Sequence, residues 1–251
     1  MAYLNGKKLI FAPKVIVQQG ASVDGKLLQK LITENGIYTA SDEGPNVVGY
    51  DVVTVHIPSG EETINSVLNR TVQHLDLPTT EFISQYALAY CTSLETVNAP
   101  GLMAVGATAF IGCTKLKNLN VPNLSGIESA STMSQAAFGS CTSLEELYLP
   151  VCSHVGAFAF FNCSKLAKVE IGVRDAYIEA SAFARCSALT TLIVNSVGGT
   201  PVLSNTNAFA QTPIASGTGF IYTDNPDKLK AADNWSTYAD QIKSKDELPT
   251  E

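Results

Sequence analysis

The sequence predicts a mostly β protein with short helical or irregular turns, wound as a right-handed solenoid, capped, and preceded by a small N-terminal β module. Two observations carry this. Cysteines at 91, 113, 141, 163 and 186 follow one another at steps of 22, 28, 22 and 23 residues. The residues that close each strand-like stretch, Pro78, Pro100, Pro122, Pro150 and Gly172, step by 22, 22, 28 and 22. A unit this short cannot bury its own apolar side chains, so successive units must stack on one another.

The first seventy residues differ from the rest. Ile32-Thr33-Glu34-Asn35-Gly36-Ile37-Tyr38-Thr39-Ala40 places an Asn-Gly turn signal between apolar runs, a strong hairpin pattern. Gly49-Tyr50-Asp51-Val52-Val53-Thr54-Val55 reads as a strand. This segment resembles a short β module of phage and prophage tail-associated proteins of Gram-positive bacteria. A plain N-terminal cap for the solenoid is the alternative reading.

From residue 71 onward each unit reads Ala-Phe-x-x-Cys-x-x-Leu followed by two aliphatics spaced two apart, as in Ala109-Phe110-Ile111-Gly112-Cys113-Thr114-Lys115-Leu116 with Leu119 and Val121. The first unit has Leu88 in place of Phe. The pairs Leu75/Leu77, Val97/Ala99, Leu119/Val121, Leu147/Leu149, Val169/Ile171 and Leu192/Val194 each share one face of a strand. Proline ends such strands because it has no N–H for the next ladder bond. A second short extended piece precedes each Ala-Phe, and its aliphatic residue, Val105, Val155 or Ile178, packs from the far side of the core. Phe110, Phe138, Phe160, Phe183 and Phe209 should then stack as a column, one per coil. Five of the six cysteines occupy one repeat position, which points to a ladder of buried, reduced thiols rather than a disulfide framework. Neither C-x-x-C nor Cys/His metal spacing occurs. The six extra residues of the long step fall within 123–136, near Ser129, Ala130, Ser131, Thr132, Met133 and Ser134. Insertions in repeat arrays form loops on one face and often carry recognition.

The array ends with Ala208-Phe209, followed by Thr212 where cysteine is expected. Gly217 to Tyr222 reads as a closing strand, and Asp224-Asn225-Pro226 as the start of a helix with Leu229, Ala232, Trp235 and Tyr238 on one face. Such an element seals an apolar coil end that would otherwise meet water. Three regions result: a β-rich module or cap over 1–70, a solenoid over 71–212 and a strand-helix cap over 213–251.

The period and the Leu-x-x-Leu-x-Leu spacing lie in the leucine-rich-repeat range. The pattern A-F-x-x-C-x-x-L-x-x-[VIL]-x-[LIV]-P, with its Trp-bearing ending, resembles the BspA type of leucine-rich-repeat protein over roughly 71–245. Members of that family are mostly bacterial surface or secreted proteins that bind other molecules, and the resemblance implies the same here.

Composition narrows the partners. With 16 Lys and Arg against 23 Asp and Glu the net charge is −7, and no basic cluster exists of the kind nucleic acid requires. Mean hydropathy of +0.13 suits coils that face inward twice. No stretch nears the ~18 apolar residues of a membrane helix, so membrane insertion is not expected. Lys7-Lys8 is followed only by Leu9-Ile10-Phe11-Ala12, too short for a signal-peptide core; this favours a virion-associated protein, with an extracellular protein that lacks or has lost a classical leader as the alternative and the localisation itself left open.

Catalytic signatures are absent from the sequence. His56, His74 and His154 have no partner at ligand spacing, and Cys152 with His154 could form a couple only without an orienting acid or an oxyanion glycine motif. We therefore expect no enzyme, cofactor or metal. The informative surface is the outward column of the stacked strands, which repeats project as one continuous binding face. Between the aliphatics stand Asn98, Asn120, Tyr148, Glu170 and Ile193, and two residues earlier Thr96, Asn118, Glu146, Lys168 and Thr191. Tyr148 amid Glu146, Lys168 and Glu170, with Asn120 and Asn118 beside them, is the candidate binding site, because an exposed aromatic among polar groups is typical of hot spots. Glu95, Lys117 and Glu145 alternate in sign and would pair across strands. The expected function is noncatalytic recognition of a protein or glycan on a bacterial or host surface, in a phage-derived tail-associated protein. The alternative is a secreted or cell-surface adhesin of a gut-type bacterium, with an enzyme a distant third.

Overall fold

The fold is that of a mostly parallel β solenoid. A computed structural model describes residues 73–77, 80–172, 175–195 and 199–249, together with the backbone of short strands upstream. Each coil contributes one strand to a front surface and one to a rear sheet. The rear sheet is continuous and parallel, running Thr63–Ile64, Phe82–Ile83, Ala104–Val105, Gly126–Ile127, His154–Val155, Tyr177–Ile178 and Val202–Leu203. The front is two sheets. One runs Thr54–His56, His74–Asp76, Thr96–Asn98 and Asn118–Asn120; the other runs Glu146–Leu149, Lys168–Ile171, Thr191–Val194, Phe220–Thr223 and Ile242–Ser244. Parallel pairing thus continues upstream of residue 71 through Thr54–His56 and Thr63–Ile64. Further upstream, Tyr38–Ser41 pairs antiparallel with Gly44–Val47, which pairs parallel with Ser66–Val67. The turn expected at Asn35-Gly36 lies outside the described residues.

Between the two surfaces the side chains meet as the repeat requires. The aliphatic pairs are buried from both sides, with Val105, Val155 and Ile178 closing the rear. Leu119 is the exception at its position: it is half-buried. The phenylalanines form the expected column, with centroid separations of 4.8, 5.0, 5.4 and 5.8 Å from Phe110 through Phe138, Phe160 and Phe183 to Phe209, all within 8° of parallel. Their backbones bond in step, Phe110 N donating to Ala137 O at 2.7 Å and Phe138 N to Ala159 O at 2.8 Å.

The cysteine position has a use beyond filling space. Each thiol donates to the carbonyl at the aromatic position one coil earlier: Cys113 to Leu88 O at 3.2 Å, Cys141 to Phe110 O at 3.3 Å, Cys163 to Phe138 O at 3.1 Å and Cys186 to Phe160 O at 3.2 Å. Each of these buried carbonyls also accepts the main-chain N–H three residues on, as Phe110 O does from Cys113 N at 3.2 Å, so the thiol fills the second lone pair of the acceptor, a bond worth about 1 kcal/mol. Thr212, in the last coil, turns its hydroxyl to Phe209 O of its own coil at 2.7 Å. The residue before each of these positions, Tyr90, Gly112, Ser140, Asn162, Arg185 and Gln211, is left-handed, with φ between 59° and 70°. Five of the six are not glycine, at a cost on the order of 1 kcal/mol each. At Gly112 a side chain has no room, since a Cβ would come within 2.7 Å of the Tyr90 ring.

Two local expectations differ from the structure. The single helix expected to run from Pro226 to Tyr238 is two pieces, an α-helix at Pro226–Lys230 and a 3-10 segment at Trp235–Gln241. Asn234 breaks it, held at φ 63° while its side-chain amide donates to Leu203 O at 2.7 Å. Tertiary anchoring overrides the helical spacing, yet Leu229, Trp235 and Tyr238 are buried as expected. The Trp235 indole donates to Pro201 O at 2.8 Å, and Tyr238 meets Phe209 edge-on at 83°. The alternation of Glu95, Lys117 and Glu145 closes no ion pair between these residues.

Candidate functional site

Outward columns become hydrogen-bonded rows on the first front sheet. Asn98 donates to Asp76 Oδ1 at 2.8 Å, and Asn120 donates to Asn98 Oδ1 at 2.6 Å. Two residues earlier in each strand, His74 Nδ1 lies 2.7 Å from Thr96 Oγ1, with Asn118 next in line. On the second sheet Tyr148 stands in register with Glu170 and Ile193, and Glu146 with Lys168 and Thr191. Glu170 Oε1 accepts from Asn195 at 3.3 Å. The Tyr148 ring is 57% exposed.

Where the two sheets meet, the ladder stops. Asn118–Asn120 pairs only with Thr96–Asn98, and Glu146–Leu149 only with Lys168–Ile171. Yet their coils remain joined at the Phe110–Phe138 turn and through Gly126–Ile127 and His154–Val155 at the rear. A cleft of about 580 Å³ opens between the two front strands, lined by Lys117, Leu119, Glu145 and Leu147 in addition to Asn118, Asn120, Glu146, Tyr148, Lys168 and Glu170. All six residues singled out from the sequence thus lie around one opening. Asn118 and Asn120 form one lip, and Glu146, Tyr148, Lys168 and Glu170 the other.

The inserted residues explain the mismatch. They lie between Ile127 and Phe138, where the other coils place four residues, or five in the last, and this one places ten, and they include the 3-10 turn Met133–Gln135. Ala136, two before Phe138, has φ −57°. Its counterparts Tyr86, Thr108, Phe158 and Ser181 have φ of 57–66°. The coil therefore comes into its turn along a different path, and its front strand does not pair with the one before it.

Comparison with known proteins places the chain. The profile described as BspA type Leucine rich repeat region matches in six copies over residues 66–190 and 124–218, more than half of the chain. The chain belongs to the BspA-type leucine-rich-repeat family. Among solved structures, a leucine-rich repeat protein of T. pallidum is similar at 24% identity over 62% of this chain and 77% of its own, with a TM-score of 0.38. A leucine-rich repeat protein from Bacteroides ovatus shares 19% identity over 74% of this chain and 45% of its own, TM-score 0.45. A leucine rich cell surface protein from Faecalibacterium prausnitzii shares 14% over 75% of each, TM-score 0.28. No curated protein matches.

In this BspA-type chain the other candidate chemistry resolves into structure. The Cys152 thiol is buried and donates to the main-chain oxygen of His154 at 3.3 Å, not to its ring. Burial pushes that thiol up to about 11, so it is a poor nucleophile at neutral pH. The His154 Nε2 instead meets Glu179 Oε1 at 2.7 Å. Glu179 also accepts from Ala157 N at 3.2 Å. Sequence reasoning missed this pair, although the 25-residue separation brings successive rear strands together. The described residues hold no cluster of three or more candidate metal ligands and no helix long and apolar enough to cross a membrane.

Proposed function

We propose that this BspA-type protein is a noncatalytic binding protein that recognises a protein or glycan at a bacterial or host surface, through the cleft at the break in its front face. The observation that carries this reading is the exposed Tyr148 ring, set among Glu146, Lys168 and Glu170 on one lip and facing Asn118 and Asn120 on the other. An aromatic platform with hydrogen-bonding groups around it offers contact area and orientation together. The test is a screen of surface glycans and surface proteins against the wild type and Tyr148→Ala. The ligand should bind at least about tenfold more weakly to the variant, with an unchanged melting temperature. Equal binding by both proteins overturns the assignment.

The setting is a phage tail or a bacterial surface. The tail reading rests on the resemblance of 32–55 to a tail-associated β module. The adhesin reading rests on the surface and secreted character expected of the family. An immunoblot of phage particles, cell wall, cytoplasm and medium from an induced culture separates them: enrichment in particles supports the first, and recovery in wall or medium alone supports the second.

A further inference from the structure

We infer that the cleft takes an extended peptide segment of a partner protein as an added strand, completing the front sheet between Asn118–Asn120 and Glu146–Leu149. This deepens the proposed function and rests on the cleft being the binding site.

The argument begins with the main chain. In a parallel ladder alternate residues turn their N–H and C=O toward opposite neighbours. At intact joints the direction is plain: Asn118 N donates back to Glu95 O at 3.1 Å, Ala99 N donates forward to Asn120 O at 2.9 Å, and Lys168 N donates back to Glu145 O at 3.3 Å. The same alternation aims the N–H groups of Glu146 and Tyr148 back into the gap and those of Leu119 and Val121 forward into it. The carbonyls of Lys117, Leu119, Glu146 and Tyr148 face it as well. Two strand edges with complementary donors and acceptors therefore face each other with no ladder between them. An extended backbone satisfies both edges at once, which a sugar cannot do, and strand addition is an established route to peptide recognition.

Side chains specify the occupant further. Leu119 is half-buried where Leu75, Val97, Leu147, Val169 and Leu192 are buried, so the inward position beside Leu119 is incompletely covered and fits an aliphatic residue. The outward position before it falls between Asn118 and Glu146, beside Glu145, and suits Lys or Arg. The outward position after it falls between the terminal amide of the asparagine row at Asn120 and the ring of Tyr148, and suits Thr or an aromatic. The segment thus reads basic, aliphatic, then Thr or aromatic, the out-in-out alternation of the chain's own Lys168-Val169-Glu170. An added strand needs about 9.6 Å between the lips, two strand spacings. Residues of the two lips lie within 8 Å of one another, Cα to Cα, so admitting the strand requires the lips to open further about the Phe110–Phe138 turn, which stays closed.

The probe is the blocked hexapeptide acetyl-Ser-Lys-Val-Thr-Val-Ser-amide, with amide hydrogen exchange of the intact protein as the readout. At saturating peptide the amides of Leu119, Val121, Glu146 and Tyr148 should exchange about tenfold more slowly or better. The same peptide N-methylated at alternate residues should bind about tenfold more weakly. Peptide binding without protection of those four amides, indifference to N-methylation, or no binding at millimolar peptide each overturns the inference. A glycan that binds wild type but not Tyr148→Ala, leaving those amides unprotected, also overturns it while the cleft remains the site.

Discussion

Phe110 and Phe138 stack at 4.8 Å with 8° between their planes, although the coil that joins them is six residues longer than its neighbours. Nine residues beyond each, Leu119 and Leu147 belong to strands that do not pair. The coils are clamped at the turn and rear and parted at the front, so the extra length is expressed as a wedge.

The wedge should close when the extra length is removed. Deleting residues 129–134 restores four residues between Ile127 and Phe138 and returns Ala136 to the left-handed position. Amides of Glu146 and Tyr148 in the free protein should then exchange at least about tenfold more slowly, and ligand binding at the cleft should be lost. Unchanged exchange would show that the insertion is not what parts the sheets.

The aromatic column should carry much of the stability. Phe160 is fully buried between Phe138 and Phe183, and Phe160→Ala should cost about 3–5 kcal/mol in denaturant unfolding. A melting point equal to wild type would refute the column as a principal source of cohesion.

The sequence made the coil legible because its period, its aliphatic spacing and its Ala-Phe anchor repeat. Periodicity states what one unit buries against the next, so the column at Phe110, Phe138, Phe160, Phe183 and Phe209 could be read directly. The same columns brought Asn118, Asn120, Glu146, Tyr148, Lys168 and Glu170 to one face. What stayed hidden depends on departures from the period. The insertion was visible between Pro122 and Cys141, but a spacing of 28 does not say which side of the coil opens. The thiol-to-carbonyl bonds were equally hidden, because cysteine at an apolar position reads as a small hydrophobe until the carbonyl of the previous coil is located. The cap helix failed at Asn234, whose bond to Leu203 O is a long-range contact that local spacing does not encode.

Those thiol bonds should make the cysteines inert. Burial pushes the thiols of Cys113, Cys141, Cys163 and Cys186 above their ordinary range, so little thiolate exists at neutral pH. Alkylation of the native protein should be slow at all of them and become fast in denaturant, read by mass spectrometry. Cys141→Ala should cost about 1 kcal/mol for the lost thiol bond, because Phe110 O keeps its bond from Cys113 N at 3.2 Å. Rapid native labelling at Cys141 would contradict the burial.

Acid should loosen the rear sheet at Glu179. Burial raises its carboxyl, but hydrogen bonds from His154, Ser129 and Ala157 outweigh that and hold it below the usual 4.5. A lowered folded-state value means the stabilisation is present above the ordinary carboxylate range and is lost as pH falls through the folded value. The pair is partly exposed, so the effect should be under about 1 kcal/mol. Between pH 7 and pH 3 Glu179→Gln should lose less stability than wild type; an identical pH slope would remove Glu179 from the account.

The cap should be needed for solubility. Phe220–Thr223 and Ile242–Ser244 continue the front ladder beyond Thr191–Val194, and Trp235 and Tyr238 cover Phe209. A chain ending at Pro213 exposes that aromatic end and an open strand edge. It should aggregate in size-exclusion chromatography, whereas a soluble monomer would count against the capping role.

A stacked coil behaves mechanically like a rod whose stiffness comes from the ladders running along it. At the joint between Asn118–Asn120 and Glu146–Leu149 one of those ladders is interrupted while the rear one is not. Among the described coils, bending that closes or spreads the front meets least resistance there, so load applied along them concentrates at that joint. A partner held in that joint would change the rod's curvature, and tension on the rod would in turn alter how firmly the partner is held.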